Sequence, residues 1–279
     1  LNQQGSQAFF PVQSGAAEWM GDTKVHRTTQ SLITKNQIAA ITKQLEPGDV
    51  LFVRREWYIS NIGLPGFWPH TALYIGTPEK RKIYFADHEV TQWTKGHGQP
   101  DGDFNSLLQS KYSEAYKDSL KLDHNHIPQV LEAISEGVSF TSMEHSADAD
   151  SIAVLRPKLS KRDKAIAIFR AFQYAGRPYD FNFDFLTDSS LVCTELIYKS
   201  YEPAEGYRGL VFPVSDFLGR KATPANEIVR EFDQQFDATQ FDFILFLDGN
   251  EKLRKAVESN LVSFRGSWKR PKWHIFKLQ

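Results

Sequence analysis

The only cysteine of the chain, Cys193, stands within Asp188-Ser189-Ser190-Leu191-Val192-Cys193-Thr194-Glu195-Leu196-Ile197-Tyr198. A single cysteine excludes an internal disulfide, so the fold has to be held by burial and hydrogen bonding. The 279 residues, 41% hydrophobic and 24% charged, suffice for a full core, in one large domain with extensions or in two small ones. A net charge of -1 gives no electrostatic reason to expect a nucleic-acid partner. No run of about eighteen apolar residues occurs, so no transmembrane segment is predicted. The chain starts at Leu1 rather than Met, as a trimmed chain or one that has lost a signal peptide would.

Val192, Cys193, Leu196, Ile197 and Ser200 recur at helical spacing and draw an apolar face, with Glu195, Lys199 and Glu202 on the polar side. Ser189 or Ser190 can cap this helix by accepting orphan backbone N–H bonds. Cys193 then falls in the first turn, where free N–H groups and the positive end of the helix dipole favour the nucleophilic thiolate. A lone cysteine on an apolar face is also a common small core residue. The segment by itself leaves both readings open.

Upstream, a glutamine-rich start leads to an amphipathic helix between Thr29 and Leu45, and residues 1–45 read as an N-terminal extension packed on a later core. Val50 to Val53 has the length and β-branching of a buried strand. From Thr71 to Gly76 the chain alternates, so that His70, Ala72 and Tyr74 share one face of a strand and His70 sits at its mouth. Ile83 to Ala86 reads as the next strand, after a charged turn from Thr77 to Lys82. Residues 87–128 break the rhythm and read as a surface insertion, a candidate lid.

Strand signals resume at Gln129–Ala133, Gly137–Phe140 and Ile152–Arg156. Glu132 lies inside the first of these. It either faces water from an edge strand or, if buried, needs a cationic or hydrogen-bonding partner, because an unpaired buried carboxylate costs several kcal/mol. Ser160 opens a helix that ends at Gly176, and an aromatic loop containing Tyr179 leads on to Cys193. Beyond Pro203 a helix starts at Thr223-Pro224, a strand runs from Phe241 to Leu247, and a further helix is predicted near Asn250–Leu261. The last residues interleave Phe264, Trp268, Trp273 and Phe276 with cations and read as an edge strand; contact with an anionic envelope surface is the alternative.

Two metal patterns are incomplete. Asp101, Asp103 and Asn105 imitate the start of a calcium loop, but Ser106 replaces the turn glycine and Tyr112 the bidentate glutamate. His88, His97, His124 and His126 match no compact zinc spacing. No metal or other cofactor is expected.

Five blocks occur in an order that resembles one family. They are Pro47–Leu51, Trp68–Gly76, Val130–Ala133 with Glu136–Val138, Gly176–Phe181, and Val192–Leu196. Together, over about Leu45 to Pro203, they resemble the circularly permuted NlpC-type cysteine hydrolases of the YiiX-like branch. The resemblance implies an α+β, permuted papain-like fold in which a small antiparallel sheet packs against a nucleophile-bearing helix. It implies a core at 46–205 and leaves 206–279 as a C-terminal extension packed on that core. It further implies Cys193 as nucleophile, His70 as base and Glu132 as the group that orients the imidazole. Thr194 departs from the family's usual serine, and the long segment before Glu132 is unusual too. The Cys193 backbone N–H can donate to an oxyanion, and Tyr179 is a candidate second donor or else a core aromatic.

The implied activity is hydrolysis of an amide bond in small peptides or cell-wall-derived fragments, through a thioester acyl-enzyme and without a metal. Permuted relatives that act on lipid acyl groups make lipid hydrolysis or acyl transfer a second reading, and a non-catalytic binding module a third. Signal-peptide removal in such a protein would place it in the periplasm or outside a bacterial cell.

Overall fold

The computed structural model describes residues 31–56, 66–178, 192–217 and 220–271. Thr34 opens the first helix, α1 (Lys35–Gln44): its hydroxyl accepts from the Gln37 N–H while the Gln37 side chain reaches back to the Thr34 N–H. This reciprocal cap satisfies two orphan donors and sets the start of the helix at Lys35, inside the stretch predicted from Thr29.

Seven strands follow in one sheet: β1 (Val50–Arg54), β2 (His70–Tyr74), β3 (Val130–Ile134), β4 (Gly137–Thr141), β5 (Ser151–Pro157), β8 (Phe241–Asn250) and β9 (Lys255–Ser259). Their order is β4-β3-β2-β1-β5-β8-β9, and every neighbouring pair is antiparallel. A separate two-stranded ribbon joins β6 (Ser215–Phe217) to β7 (Arg220–Ala222). The period of two sends Val50, Phe52, Leu73 and Leu131 to one face, in the same core cluster as Ala165 and Ile168 of α7 (Lys161–Phe172) and Leu196 and Ile197 of α8 (Cys193–Tyr201). Leu51, Val53, Ala72 and Val130 face the other way and pack with Ile38 and Ile41 of α1. Each such aliphatic side chain contributes about 1.5–3 kcal/mol on leaving water. Burial on both faces is why β1 reads as an unbroken apolar run. The α+β class is the one the sequence predicted.

Several local predictions are corrected. Ile83 to Ala86 is no strand: Thr77 and Pro78 start α2 (Pro78–Tyr84), with the Thr77 hydroxyl accepting from the Lys80 N–H, and Ile83 is left exposed. A start signal five residues upstream overrides the β-type composition. The segment up to residue 128 continues as α3 (His88–Gly96), α4 (Phe104–Lys111) and α5 (Ser113–Asp118). Asp103 caps α4, and Asn105 accepts from the buried Arg81, so two residues of the apparent calcium pattern have structural work.

The Ser160 cap is found as predicted, its helix ending at Phe172 rather than at Gly176, and α9 (Ala225–Gln234) begins directly after Pro224. The helix predicted near Asn250–Leu261 is instead the turn and strand of the β8–β9 hairpin. The supposed C-terminal edge strand is α10 (Leu261–Gly266) and a short 3-10 turn through Lys269, while 272–279 lie outside the described residues. Its aromatic Phe264 is fully buried.

Candidate active site

Trp68 anchors the approach to β2. It is fully buried, packs edge-on to Phe52, Phe67 and Phe246, and donates its indole N–H to Ser267 Oγ at 2.8 Å. Two residues later His70 enters the sheet opposite Val53. Leu73 and Tyr74 pair with Leu131 and Val130. Continuing that register sets Ala72 against Glu132, which makes His70 the diagonal neighbour of Glu132 on the same face, within reach of long side chains.

His70 Nε2 and Glu132 Oε2 are 2.6 Å apart. Glu132 is fully buried, so of the two placements open to it the interior one is realised. Its other oxygen, Oε1, accepts from Thr141 Oγ1 at 2.6 Å and from Ser146 Oγ. Burial would raise the Glu132 carboxyl, yet the hydrogen bond and charge of His70, the charge of Arg55 and the Ser146 hydroxyl together hold it well below the usual carboxylate range.

The Cys193 thiol reaches the same imidazole from the first turn of α8. It is buried, with Sγ 3.9 Å from the Pro69 carbonyl oxygen, and it is close enough to the His70 ring for each to shift the other's pKa. With Nε2 committed to Glu132, Nδ1 is the nitrogen left for the sulfur. Burial pushes the thiol up, but the His70 charge and hydrogen bond, with backbone N–H bonds from Thr71 and Thr194, outweigh it and lower its pKa. Burial likewise pushes His70 down, and the charges and hydrogen bonds of Cys193 and Glu132 reverse this to a pKa of about 10. Both shifts favour a thiolate–imidazolium pair, with a carboxylate behind it.

Ser189 and Ser190, predicted to cap this helix, lie outside the described residues. Val192 holds the N-cap position of α8, and no side chain of the described residues caps it. The Thr194 backbone N–H of this first turn is among the groups that lower the thiol's pKa. Glu195, assigned to the polar side, is buried. Tyr179 lies outside the described residues.

Sequence reasoning missed the support behind Glu132. Ser146 belongs to α6 (Met143–Ser146), whose cap Ser142 accepts from the His145 N–H. The Arg55 guanidinium donates to the carbonyls of His145 and Asp148, tying the end of α6 to the strand that neighbours His70. Nothing in the spacing of Thr141, Ser146 or Arg55 marks them. Of the four histidines considered for zinc, His97 bonds the Trp93 carbonyl through Nδ1 at 2.7 Å, and His124 lies against Asp123 and His145.

No helix among the described residues is long and apolar enough to cross a membrane. The family model described as "permuted papain-like amidase enzyme, YaeF/YiiX, C92 family" matches residues 44–269. No curated protein and no solved structure matches the chain.

Proposed function

The chain belongs to the YaeF/YiiX, C92 family of permuted papain-like amidases and is a hydrolase of the cysteine-amidase type; on that premise we propose that Cys193 is its nucleophile, His70 its acid and base, and Glu132 the group that orients His70. The single observation that carries this assignment is the 2.6 Å His70–Glu132 contact beside a thiol whose pKa is lowered. The Cys193 thiolate attacks the amide carbonyl carbon, and the carbonyl electrons move onto oxygen. The Cys193 backbone N–H at the open helix start donates to that oxyanion, with Tyr179 as the proposed second donor. As the C–N bond breaks, the His70 imidazolium gives its proton to the leaving amine, and a thioester remains. Neutral His70 then takes a proton from water, the hydroxide adds to the thioester, and collapse releases the acid and the thiolate. Glu132 keeps the Nε2 proton in place throughout, so that Nδ1 is the atom that exchanges protons.

The substrates we assign are small peptides or cell-wall-derived fragments. The test measures Cys193 alkylation against pH in the parent chain and in His70→Ala, followed by amine release from short peptides, with lipid esters as the comparison. The parent should alkylate well below the pH of an ordinary thiol, and His70→Ala should restore the ordinary profile. A Cys193 that reacts only in the unfolded chain would sink the assignment, and ester cleavage without amide cleavage would overturn the substrate class.

A further inference from the structure

A second cluster of chemically capable side chains involves α6, the helix that also presents Ser146 to Glu132. Asp123, His124 and His145 each offer a ligand atom, and these atoms all lie within 4.8 Å of one another. His124 Nδ1 is 2.8 Å from Asp123 Oδ1, and His145 Nδ1 is 3.2 Å from Asp123 Oδ2. Around a tetrahedral zinc ion with bonds near 2.0–2.1 Å, adjacent ligand atoms stand about 3.3 Å apart. Two of the three spacings are thus close to the required one, and the third lies within 4.8 Å. We propose that Asp123, His124 and His145 bind a zinc-class divalent cation, with the fourth position open to water.

Three further observations favour an ion over a plain Asp–His hydrogen bond. Both imidazoles aim the same nitrogen at one carboxylate, with ring planes at 89° and centroids 5.2 Å apart, so the two rings do not stack on each other and both reach the same point. Asp123 is itself oriented by an outer layer, accepting from Ser142 N at 2.7 Å and Ser142 Oγ at 2.8 Å, as ligating carboxylates commonly are. The side chains of His124, His145 and Asp123 are 75%, 29% and 17% exposed, which gives an ion a way in. Two nitrogens and one carboxylate suit zinc and its neighbours, whereas calcium and magnesium want more oxygens.

The ion would staple two elements. Asp123 and His124 come from a tight turn closed by paired backbone bonds of 2.9 Å between Asp123 and His126, and His145 comes from α6. Since α6 also presents Ser146 to Glu132, occupancy would brace the support of the proposed orienting carboxylate. The binding site itself does not depend on the catalytic assignment.

The test uses the full chain carrying Cys193→Ala, which removes the thiolate as a competing ligand. Zinc is titrated calorimetrically and cobalt(II) by visible absorption. We expect one equivalent of zinc, tetrahedral cobalt bands, and a raised thermal midpoint. His124→Asn keeps a residue type that tolerates the left-handed backbone there, where φ is 49°, and removes the imidazole. It and His145→Gln should each weaken binding by more than about 100-fold, beyond what the loss of an outer-layer partner costs. The exposed His88→Asn should change nothing. No binding below about 100 μM zinc, equivalent to barely 5–6 kcal/mol, would overturn the proposal. Binding retained in both ligand variants would overturn it as well.

Discussion

Cys193→Ala should change how stability depends on pH as well as removing a nucleophile. Each shift has a sign. His70 is raised from 6.5 to about 10, so its contribution is complete below pH 6.5 and is lost as pH rises through 10. Cys193 is lowered from 9.0, so its contribution is complete above pH 9 and is lost as pH falls through its folded pKa. Above pH 6.5 and above the lowered pKa of Cys193, and below pH 9, the two cancel: the folded pair holds one proton, on His70, and the unfolded pair holds one, on the thiol. The parent's unfolding free energy should therefore be insensitive to this pair across that window.

In Cys193→Ala only the His70 slope remains, and stability should fall by about 1.4 kcal/mol per pH unit just above pH 6.5. The loss should bend over where His70, now raised by Glu132 alone, gives up its proton. Urea unfolding of both chains at half-unit steps from pH 6 to 9.5 reads this, and the other titrating groups drop out of the difference. If parent and variant run parallel across the window, Cys193 is an ordinary thiol in the folded state and the ion-pair description is wrong.

Glu132→Gln should cut the rate of Cys193 alkylation at pH 6 by about 10–1,000-fold, because a neighbouring opposite charge is worth one to three pKa units on the imidazolium. The amide must also choose between its oxygen facing the two hydroxyls and its oxygen facing His70, so a drop in unfolding free energy of about 1–3 kcal/mol is expected from urea melts. An unchanged alkylation profile would demote Glu132 to a structural acid. Ser146→Ala should lower amide turnover about tenfold by removing one charge-assisted hydrogen bond from Glu132 and should move the pH–rate profile, with partial rescue by Ser146→Thr. A lowered rate with an unmoved profile would point to misfolding instead. Asp49 is fully buried and takes two 2.8 Å bonds from Arg156, remote in role from the thiol. Asp49→Ala should cost about 3–5 kcal/mol of stability while leaving the Cys193 alkylation profile alone.

What the sequence disclosed depended on how much chemistry a residue type carries. A lone cysteine at a helix start, a histidine at a strand mouth and a glutamate inside an apolar strand stand out as candidates, but each keeps a bland alternative, and their roles come from the family resemblance. Ser146 and Thr141 violate nothing; a hydroxyl between polar neighbours is ordinary until the chain brings it to a buried carboxylate. Ile83-Tyr84-Phe85-Ala86 misled because its composition is β-like while the deciding signal, Thr77-Pro78, stands upstream. Lys255–Ser259 misled the other way: lysine, alanine and glutamate suggest a helix, but pairing with β8 gives the segment a partner that local preference cannot foresee.

The order His70, Glu132, Cys193 is workable because two of the three residues meet through strand register and only the third through helix packing. A slip of one residue between β2 and β3 would carry Glu132 to the opposite face, away from His70. The direct ladder between these strands is short, confined to Leu73–Leu131 and Tyr74–Val130. Gln129 reinforces it, its carbonyl accepting from the N–H groups of Ile75 and Gly76 and its side chain from the Tyr74 hydroxyl at 3.0 Å. These bonds lie at the end of the ladder away from His70, so they fix the register while leaving the His70 end free of pairing to β3 in the ladder. There the Thr71 backbone N–H is one of the groups that lower the thiol's pKa. Backbone pairing thus decides which face Glu132 occupies, and the hydroxyls of Thr141 and Ser146 decide which of its oxygens meets His70. Substitutions that slip the register should abolish the site outright, whereas those that touch the hydroxyls should only retune it.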